Sequence, residues 1–178
     1  VGKVDTVSSD NYQIGYDATR YLIRTGHKQI AIACGREELL LYRERLRGYR
    51  KAMEDNGLPV REAFILHEAG GNNGFYYQVR DLVEQGSVPD AIFCTSDPKA
   101  FVVMHALHDL GLRMPEDVAV IGVDNVSMAS MVEPPLSTIS QHLHDMGVAA
   151  AKSLIRQIEY KDKYGELPKP QRTIMNSD

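Results

Sequence analysis

The sequence lacks the features that mark disulfide-rich or membrane-spanning proteins. It has 178 residues, no tryptophan and only two cysteines, Cys34 and Cys94, which lie far apart. A chain of this length can bury a core without disulfide bonds, so we interpret both cysteines as buried, reduced thiols. No apolar run reaches the roughly 18 residues of a membrane-spanning helix. Residues 1–10 are too polar for a signal peptide.

The sequence also lacks an excess of basic charge. Its formal net charge is −4, from 20 Lys and Arg residues against 24 Asp and Glu residues. A protein that binds nucleic acid by itself usually carries a basic domain or stripe, and none is present. Any contact with DNA is therefore expected from a part outside this chain.

Motifs for catalysis and for cofactor binding are scarce. There is no Walker-type phosphate loop and no G-x-S-x-G turn, and Gly70-Gly71 lacks the third glycine of a dinucleotide-binding loop. His105 and His108 lie one helical turn apart, but no third metal ligand is in register with them. The sequence therefore predicts no catalytic residues, no metal and no cofactor, and it disfavours an enzyme.

A unit made of a helix, a glycine and a short apolar run recurs along the chain. The apolar runs are continuous rather than alternating, as in strands that are covered by helices on both sides. Glycine is common just after a helix, because it accepts a left-handed backbone conformation. This order predicts an α/β fold, a doubly wound parallel sheet with helices on both faces. The runs are 30–34, 63–66, 91–94 and 118–121, and the glycines are Gly26, Gly57, Gly86 and Gly111.

The pattern changes after Asp124. Residues 133–135 form a proline-containing break, which favours an extended conformation. Residues 136–140 read as a strand, 145–160 as an amphipathic helix, and 171–175 as a last strand. Candidate capping residues for the earlier helices are Asp10 or Asn11, Asn72 or Asn73, and Ser96 with Asp97.

Polar side chains follow the predicted strands at one edge of the sheet. Ligands of open parallel sheets bind beyond the carboxyl ends of the strands. Asp124 follows one strand, Ser96 and Asp97 follow another, and Arg45 begins the helix after the first loop. A carboxylate that faces a guanidinium suits a polyhydroxylated ligand, although a structural ion pair remains an alternative. For Ser96 and Asp97, helix capping and ligand contact are two alternative roles.

Five segments, in order, resemble the LacI/GalR family of transcriptional repressors. They are D-N…G…A…Y-L…G-H at 10–27, R-L-R-G-Y at 45–49, P-D-A-I-F…S-D at 89–97, G-L-R-M-P-E-D-V-A-V-I-G-V-D-N at 111–125 and P-L-S-T-I-S-Q at 135–141. The resemblance implies a two-lobed core, similar to periplasmic sugar-binding proteins, in which a small effector binds between the lobes. It assigns effector contacts to Arg45, Ser96, Asp97, Asp124 and Gln141.

The resemblance also implies a domain organisation. Residues 1–9 would be a remnant of the first lobe, 10–141 the complete second lobe, and 142–178 the helix and strand that return to the first lobe. We expect the apolar face of that last helix to be covered by something else, for which a second copy of the chain is a candidate. Two departures are present. The loop near 69–71 has no aromatic residue that could stack on a ligand, and the first loop carries Leu39, Leu40 and Leu41.

The function implied is the effector-sensing and dimerisation region of a cytoplasmic repressor. Its expected partners are a small effector of the carbohydrate class, a second copy of the chain, and operator DNA bound through a head outside these residues. Three alternatives remain open. They are a solute-binding protein of a transport system, which an upstream signal peptide would indicate, an enzyme on the same fold, and a dimerisation module with an inactive pocket.

Overall fold

The computed structural model describes residues 4–68 and 74–178, which form two compact units. The larger unit is Asn11–Ser140, and the smaller one joins the first residues, up to Asp10, with Gln141–Asp178. No helix within the described ranges is long and apolar enough to cross a membrane. The elements are β1 (Thr6–Ser9), α1 (Asn11–Arg24), β2 (Ile30–Cys34), α2 (Leu40–Asp55), β3 (Ile65–His67), α3 (Gly74–Glu84), β4 (Ala91–Cys94), α4 (Asp97–Asp109), β5 (Ala119–Val123), β6 (Ser137–Ile139), α5 (Leu143–Tyr164) and β7 (Arg172–Met175).

The larger unit is built on a parallel sheet with the strand order β3-β2-β4-β5-β6. Its apolar strands supply side chains to two separate cores, one on each face. On one face they pack against α1 and α2, which contribute Ile14 and Tyr49, and on the other against α3 and α4, which contribute Val79 and Leu107. The predicted fold class, a doubly wound parallel sheet with helices on both faces, is confirmed.

Most predicted elements of the larger unit are present, with some shifts. The runs 30–34 and 91–94 are strands over those same residues, and the four glycines that follow the helices all have positive φ. The run 63–66 begins as the 3-10 turn Glu62–Phe64 before it becomes β3, and the run 118–121 gives a strand that starts and ends later. The helical spacing of Ile14, Ala18, Tyr21 and Leu22 predicts one apolar face of α1. Ile14, Ala18 and Leu22 are buried, but the prediction is wrong for Tyr21, whose side chain is exposed. The candidate caps Asn72 and Asn73 lie outside the described residues.

Helices α1 and α2 cross at two glycines. A Cβ atom on Gly15 would meet the backbone carbonyl of Arg45, and one on Gly48 would meet backbone atoms of Tyr12 and Tyr16. Backbone cannot move aside as a flexible side chain can, so only glycine permits this approach. The crossing fixes where α2 holds Arg45.

The smaller unit consists of α5 beside the parallel pair β1–β7. None of the α5 residues is buried within the described structure, and its apolar side chains Leu154, Ile155 and Ile158 are exposed. The predicted strand 171–175 and helix 145–160 are present, the helix being longer at both ends, whereas strand β1 was not anticipated. Asp10 groups with this unit because its N–H donates to the Met175 carbonyl at 3.1 Å.

Asp5 is the polar centre of the smaller unit. Its carboxylate accepts hydrogen bonds from the Ser153 hydroxyl, from Arg156 Nη2 at 2.7 Å and from the Gln171 backbone N–H at 2.8 Å. These bonds, with the Ser153 bond the largest cause and Gln157 adding to it, hold the pKa of Asp5 far below its usual range. The carboxylate therefore links β1 to α5 and to the start of β7.

The α1–α2 crossing yields a stability prediction. We expect Gly15→Ala to lower the free energy of unfolding by about 1–3 kcal/mol, because the added methyl group must push α2 away from α1. Gly147→Ala is the matched control, since a Cβ there has no atom within 4 Å in this chain. Alanine in an open helical position should stabilise the protein by about 0.5–1 kcal/mol. Urea unfolding measures both variants, and a Gly15→Ala midpoint equal to that of the wild type would contradict the close crossing.

The Asp5 cluster yields a pH prediction. A carboxyl pKa that is lowered on folding contributes stability that is fully present above the unfolded pKa of about 4 and is lost as the pH falls towards the folded pKa. We expect Asp5→Asn to reduce protection of the β1 and β7 amides at pH 7, and to weaken the further loss of protection between pH 6 and pH 3. Hydrogen exchange, normalised to the intrinsic rate at each pH, measures this. Equal acid dependence in the two proteins would show that Asp5 does not titrate with folding.

Candidate functional site

Arg45 is a buried cation at the carboxyl edge of the five-stranded sheet. Its side chain projects from α2, and the residue is only 3% exposed. Nη1 donates to the carbonyl of Thr95, which follows β4, at 2.5 Å, and Nε donates to Oδ1 of Asn11, which begins α1, at 3.0 Å. Burial lowers the pKa of the Arg45 guanidinium, and the negative charge of Asp124 raises it. Arg45 and Asp124, two of the predicted site residues, are thus close enough for their charges to interact.

Asp124 follows β5 directly and has an unusual backbone conformation. Its φ is 124°, and that of the next residue, Asn125, is 53°. Non-glycine residues rarely adopt positive φ, and such strain persists only where neighbouring contacts enforce it. Here the Asp124 N–H donates to the Ile139 carbonyl at 2.9 Å, and the Asn125 N–H donates to Thr138 Oγ1 at 3.2 Å. Strand β6 therefore holds the turn that presents the Asp124 carboxylate.

Asp97 holds the same turn from the other side. It is fully buried, its Oδ2 accepts from the Val126 N–H at 2.9 Å, and its Oδ1 accepts from the Thr138 hydroxyl at 2.6 Å. A Cβ on Gly122 would overlap Asp97 Oδ1, so β5 needs glycine at this point. Both Asp97 oxygens are thus bonded to the protein. Direct contact between Asp97 and an effector stays a prediction, and its contacts in the structure support the loop that carries Asp124.

Ser96 lies at the N-terminal flank of α4, but its side chain does not cap the helix. Instead its Oγ accepts a hydrogen bond from Lys99 Nζ at 3.2 Å. Lys99 also donates to the Tyr42 hydroxyl at 3.2 Å and lies 3.7 Å from Glu68 Oε2. The sequence analysis did not single out Lys99 or Tyr42. The sequence offered only their positions as an indication of a role in the site. Lys99 lies in the first turn after Ser96, and Tyr42 lies at the start of α2.

Thr95 was also missed. It is fully buried, its hydroxyl donates to the Ala33 carbonyl at 2.9 Å, and the same oxygen accepts from the Gly35 N–H at 3.1 Å. These two bonds connect the end of β4 to the end of β2. The Thr95 carbonyl in addition accepts the hydrogen bond from Arg45. A threonine that directly follows an apolar strand was the indication in the sequence.

The structure does not add the remaining predicted positions to this cluster. Gln141 belongs to the smaller unit, where its Oε1 accepts from the Ser9 hydroxyl at 3.0 Å. Asn72, Asn73 and the loop position 69–71 lie outside the described residues. Leu39 and Leu40 are exposed in the larger unit.

A cleft of about 350 Å³ is present at the opposite edge of the sheet. It is lined by Thr25 and His27 before β2, by Pro115 before β5 and by Pro134 before β6. None of the predicted site residues lines it. The polar cluster at the carboxyl edge is therefore the candidate site.

The described groups of this cluster are hydrogen-bonding and charged groups. Burial raises the pKa of the Cys34 thiol, which ends β2 beneath the cluster, to about 12, so the thiol stays protonated. Both cysteines are free and buried, as predicted. Among residues 4–68 and 74–178, no three His, Cys, Asp or Glu side chains are grouped to hold a metal ion. The site contains a buried guanidinium, an ammonium, two hydroxyls and the carboxylate of Asp124.

The chain is similar to proteins with a regulatory role. Residues 19–176 match the family described as periplasmic binding protein-like domain. The HTH-type transcriptional repressor PurR of Haemophilus influenzae is 35% identical over 159 residues, which are 89% of this chain and 47% of the repressor. The chain spans about half the length of the curated relatives it matches.

Solved structures of regulators share the fold. The transcriptional regulator CelR in its cellobiose complex has a TM-score of 0.88 and 32% identity, covering 99% of this chain and 52% of that chain. The putative transcriptional regulator LacI from Bacillus cereus subsp. cytotoxis has a TM-score of 0.89 and 29% identity, covering 99% of this chain and 61% of that chain. We conclude that the chain belongs to the periplasmic binding protein-like domain family, in the form found in LacI-family transcriptional regulators.

Proposed function

We propose that this chain is the effector-sensing region of a LacI/GalR-type transcriptional repressor. The observation that carries the proposal is the burial of Arg45 at the carboxyl edge of the sheet, within the electrostatic field of the Asp124 carboxylate. Parallel sheets of this kind bind their ligands at that edge. The larger unit would be one effector-binding lobe, and the smaller unit would belong to the other.

The effector is a small polyhydroxylated molecule of the carbohydrate class. A carboxylate accepts hydrogen bonds from hydroxyl groups, and a guanidinium donates them in a fixed fork, so the two together recognise neighbouring oxygens. The cellobiose complex of the similar regulator CelR supports this class. Arg45, Ser96 and Asp124 would contact the effector, and Asp97 would hold the Asp124 turn. For Asp97 and Gln141, direct contact with the effector stays a prediction.

The partners are operator DNA, a second copy of the chain and the effector, and the protein would work in the cytoplasm. The DNA-binding head lies outside these residues, as the half-length match to the repressors suggests. Homodimer formation is supported by apolar side chains that the larger unit exposes, among them Tyr77, Met128 and Met131, the last at 79%. The similarity to repressors favours this function over a transport receptor of the same fold.

The intact protein tests the proposal. DNA captured from fragmented genomic DNA should include a pseudo-palindromic site, and a panel of neutral sugars should contain one that changes its affinity for that site. Light scattering of the same preparation should give the mass of a dimer. Failure to select any DNA site, together with a periplasmic location of the protein, would support the transport alternative instead.

Asp124 should dominate effector affinity. We expect Asp124→Ala to weaken effector binding by about 2–5 kcal/mol, because the hydroxyls it binds lose a charged acceptor. Asp81→Ala is the control, since Asp81 forms an exposed pair with Arg80 on α3. Calorimetric titration of the intact protein measures both variants. Equal affinities for Asp124→Ala and wild type would refute the assignment.

Asn11 should act on the effector through Arg45. We expect Asn11→Leu to weaken effector binding roughly 10- to 100-fold, because Arg45 Nε loses its acceptor and the guanidinium loses its fixed orientation. Asn11→Asp keeps an acceptor at the same place and should retain most of the affinity. If both variants bind equally well or equally badly, orientation of Arg45 by this bond is not important for binding.

A further inference from the structure

Lys99 is a cation largely enclosed by the polar cluster. Its side chain is 13% exposed, and its ammonium lies 4.4 Å from the centroid of the Tyr42 ring. The Tyr42 hydroxyl and Ser96 Oγ both accept hydrogen bonds from it at 3.2 Å. Lys99 therefore joins α4 to the start of α2, and it faces the residue that follows β3, Glu68.

These bonds determine what the two hydroxyls can offer a ligand. An ammonium group only donates, so the oxygens of Ser96 and Tyr42 must accept from Lys99, and their own hydrogens must point elsewhere. The Ser96 hydroxyl is not used to cap α4. Each hydroxyl can therefore direct its hydrogen towards a ligand, so this part of the site can supply hydrogen-bond donors.

The donor group lies at the same edge as the Arg45–Asp124 pair. Ser96 directly follows Thr95, whose carbonyl accepts a hydrogen bond from Arg45. The Cys34 thiol at the end of β2 lies within the field of both cations, Lys99 and Arg45. One ligand that covers this edge would meet an acceptor at Asp124 and donors around Lys99.

Glu68 forms an ion pair with Lys99, and its position allows a ligand anion to take its place. Its Oε2 lies 3.7 Å from Nζ, which is beyond a good hydrogen bond, and its side chain is 36% exposed. An exposed glutamate can rotate into solvent at little cost, since exposed ion pairs contribute little stability. An incoming anion can therefore replace Glu68 as the counter-ion of Lys99.

We propose that the effector is a polyhydroxylated compound that also carries an anionic oxygen group, a carboxylate or a phosphate. Lys99 and the hydroxyls of Ser96 and Tyr42 bind the anionic group, while Asp124 and Arg45 bind hydroxyls. Lys99 is thus the residue that sets specificity for a charged over a neutral sugar-like ligand. This inference rests on the proposed function, because it concerns the same effector site.

Calorimetric titration of the intact protein with matched ligands tests the inference. The probes are neutral sugars, their uronic acids and their 6-phosphates, so that carboxylate and phosphate are distinguished. We expect one anionic series to bind roughly 10- to 100-fold more tightly than its neutral parents, as charge-assisted hydrogen bonds allow. Lys99→Met should abolish that preference, whereas Glu68→Gln, at an exposed position, should increase it.

Lys51→Met is the control, because Lys51 forms exposed ion pairs with Glu54 and Asp55 on α2. It should leave the ratio of anionic to neutral affinities unchanged, and thermal unfolding verifies that each variant folds. Neutral sugars that bind as tightly as their acids and phosphates would overturn the inference while the proposed function stands. A Glu68→Gln variant without increased preference would also overturn it. Binding by no member of the panel would count against the polyhydroxylated class and so against the proposed function itself.

Discussion

The burial of one guanidinium is the constraint on which the candidate site depends. A charged group removed from water costs several kcal/mol unless oxygen atoms surround it at hydrogen-bond distance. For Arg45 the neighbours come from Asn11 at the start of α1, from Thr95 after β4 and, through its charge, from Asp124 after β5. The glycine crossing of α1 and α2 lets the two helices approach closely enough for this arrangement. Three elements of the fold must keep their places for the cation to remain paired.

A second buried charge, of opposite sign, organises the neighbouring turn. Asp97 bonds the backbone at Val126 and the hydroxyl of Thr138, and so joins the start of α4 to the loop after β5 and to β6. The backbone of the turn that carries Asp124 is therefore held in place without a ligand. Preorganised groups lose less conformational freedom on binding, so more of the interaction energy is available as affinity.

The sequence was informative where local pattern decides the structure, and silent where tertiary contacts decide it. Continuous apolar runs located β2 and β4 because both strands are buried on both faces. The sequence did not predict strand β1, because this strand is short and only partly buried and so lacks a continuous apolar run. The rule for parallel sheets indicated the carboxyl edge, but it does not give the direction of side chains. Asp97, whose two oxygens are bonded to the protein, therefore could not be told apart from a carboxylate that points into the site. Lys99 and Tyr42 carry no local motif. Their importance arises because the starts of α2 and α4, which pack on opposite faces of the sheet, meet at its carboxyl edge.

The positive φ of Asp124 places this residue in a conflict between stability and sensing. A backbone strained in this way costs of order 1–3 kcal/mol, and glycine would relieve the strain without disturbing the hydrogen bond that its N–H makes to Ile139. Replacement by glycine would, however, remove the carboxylate. It would also remove the negative charge that favours the buried Arg45 cation, and that loss opposes the gain from a relaxed backbone. The strained turn is therefore kept by a carboxylate that serves two partners, the guanidinium beneath it and the ligand that it is proposed to bind.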